Sequence, residues 1–263
     1  MNLFEFRLRP LTEVEPWGEE PDLSLHWYGL TDGFYHMNVG EEQLYRYSDE
    51  LMDIWSKEHS YSKPFFDYQV TRLHEDVLCM LSDVLQPIPV RMHEYISTVE
   101  KQRVWEDTLA GVYDETEYEE VEETYEMASE WLFHRRLQGM GGGPNVIIWR
   151  VGDTIHIRWN SESILLEGVQ AWSTARGEYQ LTVEAYVAEV ESFHHRLMND
   201  MRERIRLITT NNPMPHVNID IPALISVQEE KDRFLSESLN RKPNVDDWGD
   251  VLSANIALLN PKR

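Results

Sequence analysis

Cysteine is almost absent: Cys79 stands alone among 263 residues, which excludes a disulfide framework and most thiolate metal sites. Long apolar runs are missing as well. No stretch approaches the ~20 residues of a bilayer-crossing helix, and Met1–Pro10 has neither the basic start nor the apolar core of a secretory leader. A cytoplasmic protein with no membrane contact is the expectation. Basic residues are scarce, 24 Lys and Arg against 47 Asp and Glu, for a net charge of −23. Such a polyanion repels nucleic acid over most of its surface and favours basic partners. Catalytic signatures are lacking too. Gly139–Gly143 run into Pro144 rather than Lys-Ser/Thr, so they form no phosphate loop, and no G-x-S-x-G or nucleotide fingerprint occurs. His194 and His195 are adjacent and would point ~100° apart on a helix. No His-x-x-x-His or Glu-x-x-His pair is accompanied by the other ligands of a closed metal site. Asp32 could meet His26 and His36 if strands aligned, but an Asp before Gly33 is ordinary turn chemistry. No metal, no cofactor and no catalytic residue is therefore expected.

The rest of the chain is organised around Pro144–Ile208. Asn145–Val151 and Thr154–Trp159 alternate on either side of Gly152–Asp153, a two-residue hairpin turn in which Gly152 takes the positive φ. Alternation within each strand places Ile147, Trp149, Val151, Ile155, Ile157 and Trp159 on one face and Arg150, His156 and Arg158 on the other. Gly168–Thr174 reads as a third strand and Gly177 as a turn. Thr182 then caps a long helix whose stripe is Tyr186, Val190, Phe193, Leu197, Met201, Ile205 and Ile208.

Ahead of this region, Met1–Pro10 reads as a strand and Leu23–Tyr47 as three more, with Leu23, Leu25 and Trp27 forming the first. Helices are expected over Asp49–Lys57, Phe66–Val84, Arg91–Val112 and Glu117–Leu137, with Gly141–Pro144 as a joint. After the long helix, Asp220 caps one helix and Asp246 another. With 41% hydrophobic and 27% charged residues, the chain is globular rather than disordered. The expected class is α+β: two small antiparallel β units packed with five or more helices. They form one composite domain over 1–263, divisible into a β unit with helices (1–140) and a hairpin sheet with the long helix (144–263).

Three groups of segments carry a family resemblance: Trp27–Gly33 (WYGLTDG) with Leu44–Tyr47, Trp149–Asp153 (WRVGD) with Ile157–Trp159, and Glu189–Phe193 (EVESF) with Met201–Arg204. In combination they resemble a family of bacterial domains of no established function, from about Phe4 to Leu239. The resemblance implies a bacterial source and brings no catalytic residues.

The most distinctive functional feature is acidic. Glu117, Glu119, Glu120, Glu122, Glu123, Glu126 and Glu130 lie within one helical stretch, and no Lys, Arg or His interrupts the acids from Glu106 to Glu130. At ~1.5 Å rise per residue that is a charge every ~3 Å, comparable with ~3.4 Å along one DNA strand. The plain explanation is a solvated helix face, which the stripe Tyr118, Val121 and Tyr125 fits. It leaves unexplained why basic partners at i+4 are missing, since like charges there repel. The expected function is a non-catalytic, immunity-protein or antitoxin-like binder that neutralises a basic protein, such as a nuclease toxin or a DNA-binding protein, without touching nucleic acid itself. One alternative is an enzyme or small-anion binder using the Arg150/His156/Arg158 face. Another is a structural component of a bacterial assembly.

Overall fold

The computed structural model describes residues 2–58, 63–115, 118–138 and 142–260, without the side chains of Glu58 and of 113–115 and 118–120. Gly141 of the expected joint lies outside the described residues, as do Gly139 and Met140 before it. The architecture is α+β, as expected.

The first sheet is built from β1 (Phe4–Leu8), β2 (Asp32–Val39), β3 (Glu42–Leu44) and β4 (Phe66–Gln69), with β2 central. β1 pairs along one edge of β2, and β3 and β4 follow one another along the other. Gly40, at φ +72°, turns β2 into β3. Two expectations fail here. Leu23–Trp27 is not a strand: Ser24 makes only single bridges, to Trp17 and to Asn218, because it threads between two loops and finds no partner long enough for a ladder. Phe66–Val84 is not one helix either. Its first four residues pair with the free stretch of β2, and helix begins only at Val70 as α2 (Val70–Cys79), followed by α3 (Leu81–Leu85). The aromatic residues Phe66 and Tyr68 suit an edge strand, and an edge was available.

α1 (Asp49–Glu58) precedes β4. The helix expected over Arg91–Val112 divides into α4 (Val90–Ile96) and α5 (Val99–Glu115), where Thr98 Oγ1 accepts a hydrogen bond from Lys101 N at 3.2 Å and restarts the helix. α6 (Tyr118–Phe133) follows.

The second sheet is β5 (Asn145–Val151), β6 (Thr154–Asn160) and β9 (Arg176–Thr182), in that order. The third strand is thus Arg176–Thr182 and not Gly168–Thr174. Val169–Gln170 (β8) instead pairs with Leu165–Leu166 (β7) in a small separate hairpin. Gly177 is a strand residue directly opposite Trp159. A Cβ there would lie 2.2 Å from Trp159 Cζ2, so glycine is what lets the indole cross the neighbouring strand. The outer edge of β5 is covered by loop backbone: Leu137 N donates to Val146 O at 3.0 Å, and Ile88 N to Arg150 O at 2.9 Å. An edge protected in this way does not recruit another strand.

α7 (Val183–Asn211), α8 (Ile221–Asn240) and α9 (Trp248–Leu259) complete the chain. Thr182 accepts from Ala185 N and Asp220 from Ala223 N, as expected of the two caps; Asp247 rather than Asp246 caps α9. All seven predicted stripe residues of α7 are buried. Its 29 residues span ~43 Å, enough to serve both sheets. Phe193 stacks on Phe4 at 5.2 Å, Glu189 accepts from Leu3 N at 2.7 Å, and buried Arg204 donates to Leu30 O at 2.8 Å and to Arg9 O.

The β5–β6–β9 sheet is a partition between two cores. Val146, Ile148, Ile155, Ile157 and Trp159 face the larger core, shared with the first sheet, α2, α7 and α8. Ile147 and Trp149 face a smaller one, shared with α4, α5, α6 and α9.

Candidate functional site

The partition decides the fate of the sheet cations. With two residues in the turn, Val151 pairs with Thr154, so Ile147 lies opposite Arg158, Trp149 opposite His156 and Arg150 opposite Ile155. Directly opposed residues share a face. His156 and Arg158 therefore stand with Ile147 and Trp149, while Arg150 is on the other side with Ile148 and Ile155. The expected common face of Arg150, His156 and Arg158 does not exist. Alternation holds within each strand, but the register across a two-residue turn shifts the parity.

Each of these cations is engaged internally. Arg150 donates to Leu85 O at 2.9 Å and Gly152 O at 2.6 Å and lies 3.6 Å from Asp153. His156 Nδ1 lies 2.9 Å from Glu178 Oε1, and its ring stacks on Trp149 at 5.0 Å. Arg158 is 3% exposed; its guanidinium sits 4.6 Å from the Trp149 ring centre and 4.0 Å from Glu178, and it donates to Ile96 O. Burial pulls the Arg158 guanidinium below its usual range, with Glu178 opposing. The hydrogen bond from His156 holds the Glu178 carboxyl below the ordinary carboxylate value. Nε and Nη1 of Arg158 have no hydrogen-bond acceptor among the described residues, and the residue borders a hollow of about 200 Å³ in which Arg103 and Arg176 face Glu100, Glu106 and Glu162.

The acidic helix is differently placed. Glu117 and the side chains of Glu119 and Glu120 lie outside the described residues. Of the others, Glu123, Glu126 and Glu130 are exposed and Glu122 half-buried. α6 is held by its opposite face: Ala128, Trp131 and Leu132 are buried, and Asn255 of α9 donates to Ala128 O at 3.0 Å while accepting from Trp105 Nε1 at 2.7 Å. This docking brings a second acidic group beside the first. Glu123, Glu126 and Glu130 border a groove of about 370 Å³ with Asp246, Asp247 and Asp250, floored by Met127, Trp131 and Val251. Its basic company is thin: His134 lies 3.3 Å from Glu130, and Lys242 2.6 Å from Asp246. The three aspartates were missed in the sequence. Asp246–Asp247–Trp–Gly–Asp250 is conspicuously acidic, but nothing local says that it lies against a helix more than a hundred residues earlier.

Among the described residues no group of three or more His, Cys, Asp or Glu is placed to hold a metal ion, and no helix is long and apolar enough to cross a membrane. The sequence model of a family of unknown function, DUF5984, matches residues 3–254. The chain belongs to the DUF5984 family. No curated protein and no solved structure matches it. The family match spans both sheets, both cores and α6, so the acidic groove lies within DUF5984 sequence up to Asp250.

Proposed function

We propose that the chain is a non-catalytic cytoplasmic binding protein that neutralises a basic protein partner, in the manner of an immunity protein or antitoxin, with α6 as its docking face. The observation that supports this is the groove in which six carboxylates from α6 and the start of α9 surround an apolar floor. Carboxylates left without basic partners repel one another at ~0.2–0.5 kcal/mol per pair, a cost that a cationic ligand removes. A Lys or Arg side chain suits both parts, its aliphatic stem against Met127 and Val251 and its head among the acids. The field of the acidic face steers such a partner and sets its on-rate.

The test is a salt-graded pull-down from the native lysate with the wild type and with a Glu123→Lys/Glu126→Lys/Asp250→Lys variant. A basic protein that the wild type retains at low salt and the variant loses supports the reading. Equal retention by both overturns it, and a stable homo-oligomer by size measurement would favour a structural component instead.

A second reading rests on the two Arg158 nitrogens that are buried without acceptors among the described residues. A small oxyanion in the adjoining hollow would satisfy them. A thermal shift with inorganic phosphate that is lost on Arg103→Gln would support this, and no shift would remove it.

A further inference from the structure

Among the described residues the outer face of the first sheet has no helical cover, and it carries aromatic and cationic side chains where a solvated sheet face is ordinarily polar. Arg7 pairs across from Phe34 and Glu5 across from His36, so these four share that face. Together with the Lys63–Phe65 loop they border a groove of about 690 Å³, within the usual range of small-molecule sites. Phe65 stacks on His36 with centroids 4.2 Å apart and 15° between planes. Lys63 Nζ stands 4.0 Å from the Phe34 ring centre.

Charge is the informative part. In a chain with 47 acidic residues against 24 basic ones, a carboxylate is the partner most readily found. Arg9, in the same wall, has two, Asp32 at 2.9 Å and Asp67. The side chains of Arg7 and Lys63 have neither a hydrogen bond nor an ion pair among the described residues. The carboxylates that border the groove do not serve them. Glu5 lies 3.6 Å from Arg196 and accepts from Asn2 at 2.9 Å, and Glu13 is the remaining acid of the lining. Burial holds the His36 imidazole below its ordinary value, against the pull of Glu5 and a hydrogen bond with Asn38.

We propose that this groove binds a planar heteroaromatic anion of mononucleotide type, its ring laid on the Phe65–His36 stack and its phosphate held by Arg7 and Lys63. Stacking on aromatic rings is tolerant of ring identity, whereas the two cations select for a charged group. The molecule's net charge of −23 acts over distance against an extended polyanion but is screened beyond about 8 Å at physiological salt, so a single phosphate seated between two cations escapes most of it. This site is independent of the acidic groove and of the partner proposed for it.

The experiment is calorimetric titration with AMP, adenosine, ribose 5-phosphate and a short single-stranded oligonucleotide. AMP is expected to bind saturably at one site, with adenosine and ribose 5-phosphate each at least tenfold weaker, since each lacks one of the two contacts. Arg7→Gln/Lys63→Gln should weaken AMP at least tenfold with an unchanged thermal midpoint, because neither side chain holds the fold, and Phe65→Leu should weaken AMP and adenosine alike. No AMP binding up to about 1 mM, or binding indifferent to the double variant, overturns the proposal. Equal binding of ribose 5-phosphate would make the groove a plain anion site, and tighter binding of the oligonucleotide would make it a nucleic-acid site; either overturns the assignment.

Discussion

Arg158 and Arg7 are both strand arginines beside an aromatic ring, and the fold uses them in opposite ways. Arg158 is 3% exposed, stacked on Trp149 and facing Glu178. Arg7 is exposed, and its side chain makes no hydrogen bond or ion pair among the described residues. One sheet is covered on both faces and turns its cations into structural parts; the other, among the described residues, leaves one face open, where Arg9 is paired with Asp32 and Asp67 and Arg7 is not paired. A charge on a strand says little about function until the cover of the sheet is known.

The sharpest contrast to measure is stability. Arg158→Ala should cost about 3 kcal/mol, because it empties a buried site against Trp149 and removes the donor to Ile96 O, and urea midpoints would show it. Gly177→Ala should cost about 2 kcal/mol, because a Cβ 2.2 Å from Trp159 forces the indole or the strand to move. If Gly177→Ala is neutral, the close packing of β9 on Trp159 is not what the sheet depends on.

A third, pH-dependent comparison concerns groups the fold keeps from becoming cations at all. His74 Nε2 lies 3.0 Å from His194 Nδ1 between α2 and α7, and both residues are buried. Burial and mutual proximity hold His74 well below 6.5, and burial brings His194 down to about 4. The unfolded chain binds these protons below 6.5 while the native state refuses them, so stability falls as pH drops from 6.5 toward 4. His194 contributes up to about 2 kcal/mol of that loss by pH 5, and His74 acts in the same direction. Asp76, whose carboxyl burial pushes up to about 6, acts in the opposite direction, since the native state there holds a proton that the unfolded chain releases. His74→Phe isolates the histidine part: unfolding at pH 7 and pH 5 should show a smaller acid loss than the wild type, and an unchanged loss would mean that the pair titrates as in water.

Surface charges should matter least for stability. Glu126→Lys/Asp250→Lys should raise it by about 0.5 kcal/mol through relieved repulsion while abolishing retention of a basic partner. Arg7→Ala should stay within about 0.5 kcal/mol. A loss above 1 kcal/mol would show that Arg7 is structural after all and erase the contrast with Arg158.

Legibility in the sequence followed the range of the interaction that decides each element. The Gly152–Asp153 turn, the Thr182 and Asp220 caps and the seven-residue stripe of α7 depend on neighbours within a few residues, and all were readable. The side on which Arg150 stands was readable too, once parity is counted across the two-residue turn rather than along one strand. Phe66–Gln69 was not, because a vacant edge of β2 decided between strand and helix. Arg176–Thr182 displaced Gly168–Thr174 in the second sheet for a similar reason: Gly177 had to lie against Trp159, a match visible only after the strands are paired. For the candidate surfaces the limit is the same. Residues 117–130 announced an acidic row through composition and spacing alone. That Asp246, Asp247 and Asp250 lie beside it, and that Arg7 and Lys63 flank one aromatic groove while Arg158 is sealed beneath α4, came from packing between segments far apart in the chain. Local hydrogen bonding and periodicity are written residue by residue; which face receives cover, and therefore which charges remain for a partner, is settled only when the helices close over the sheets.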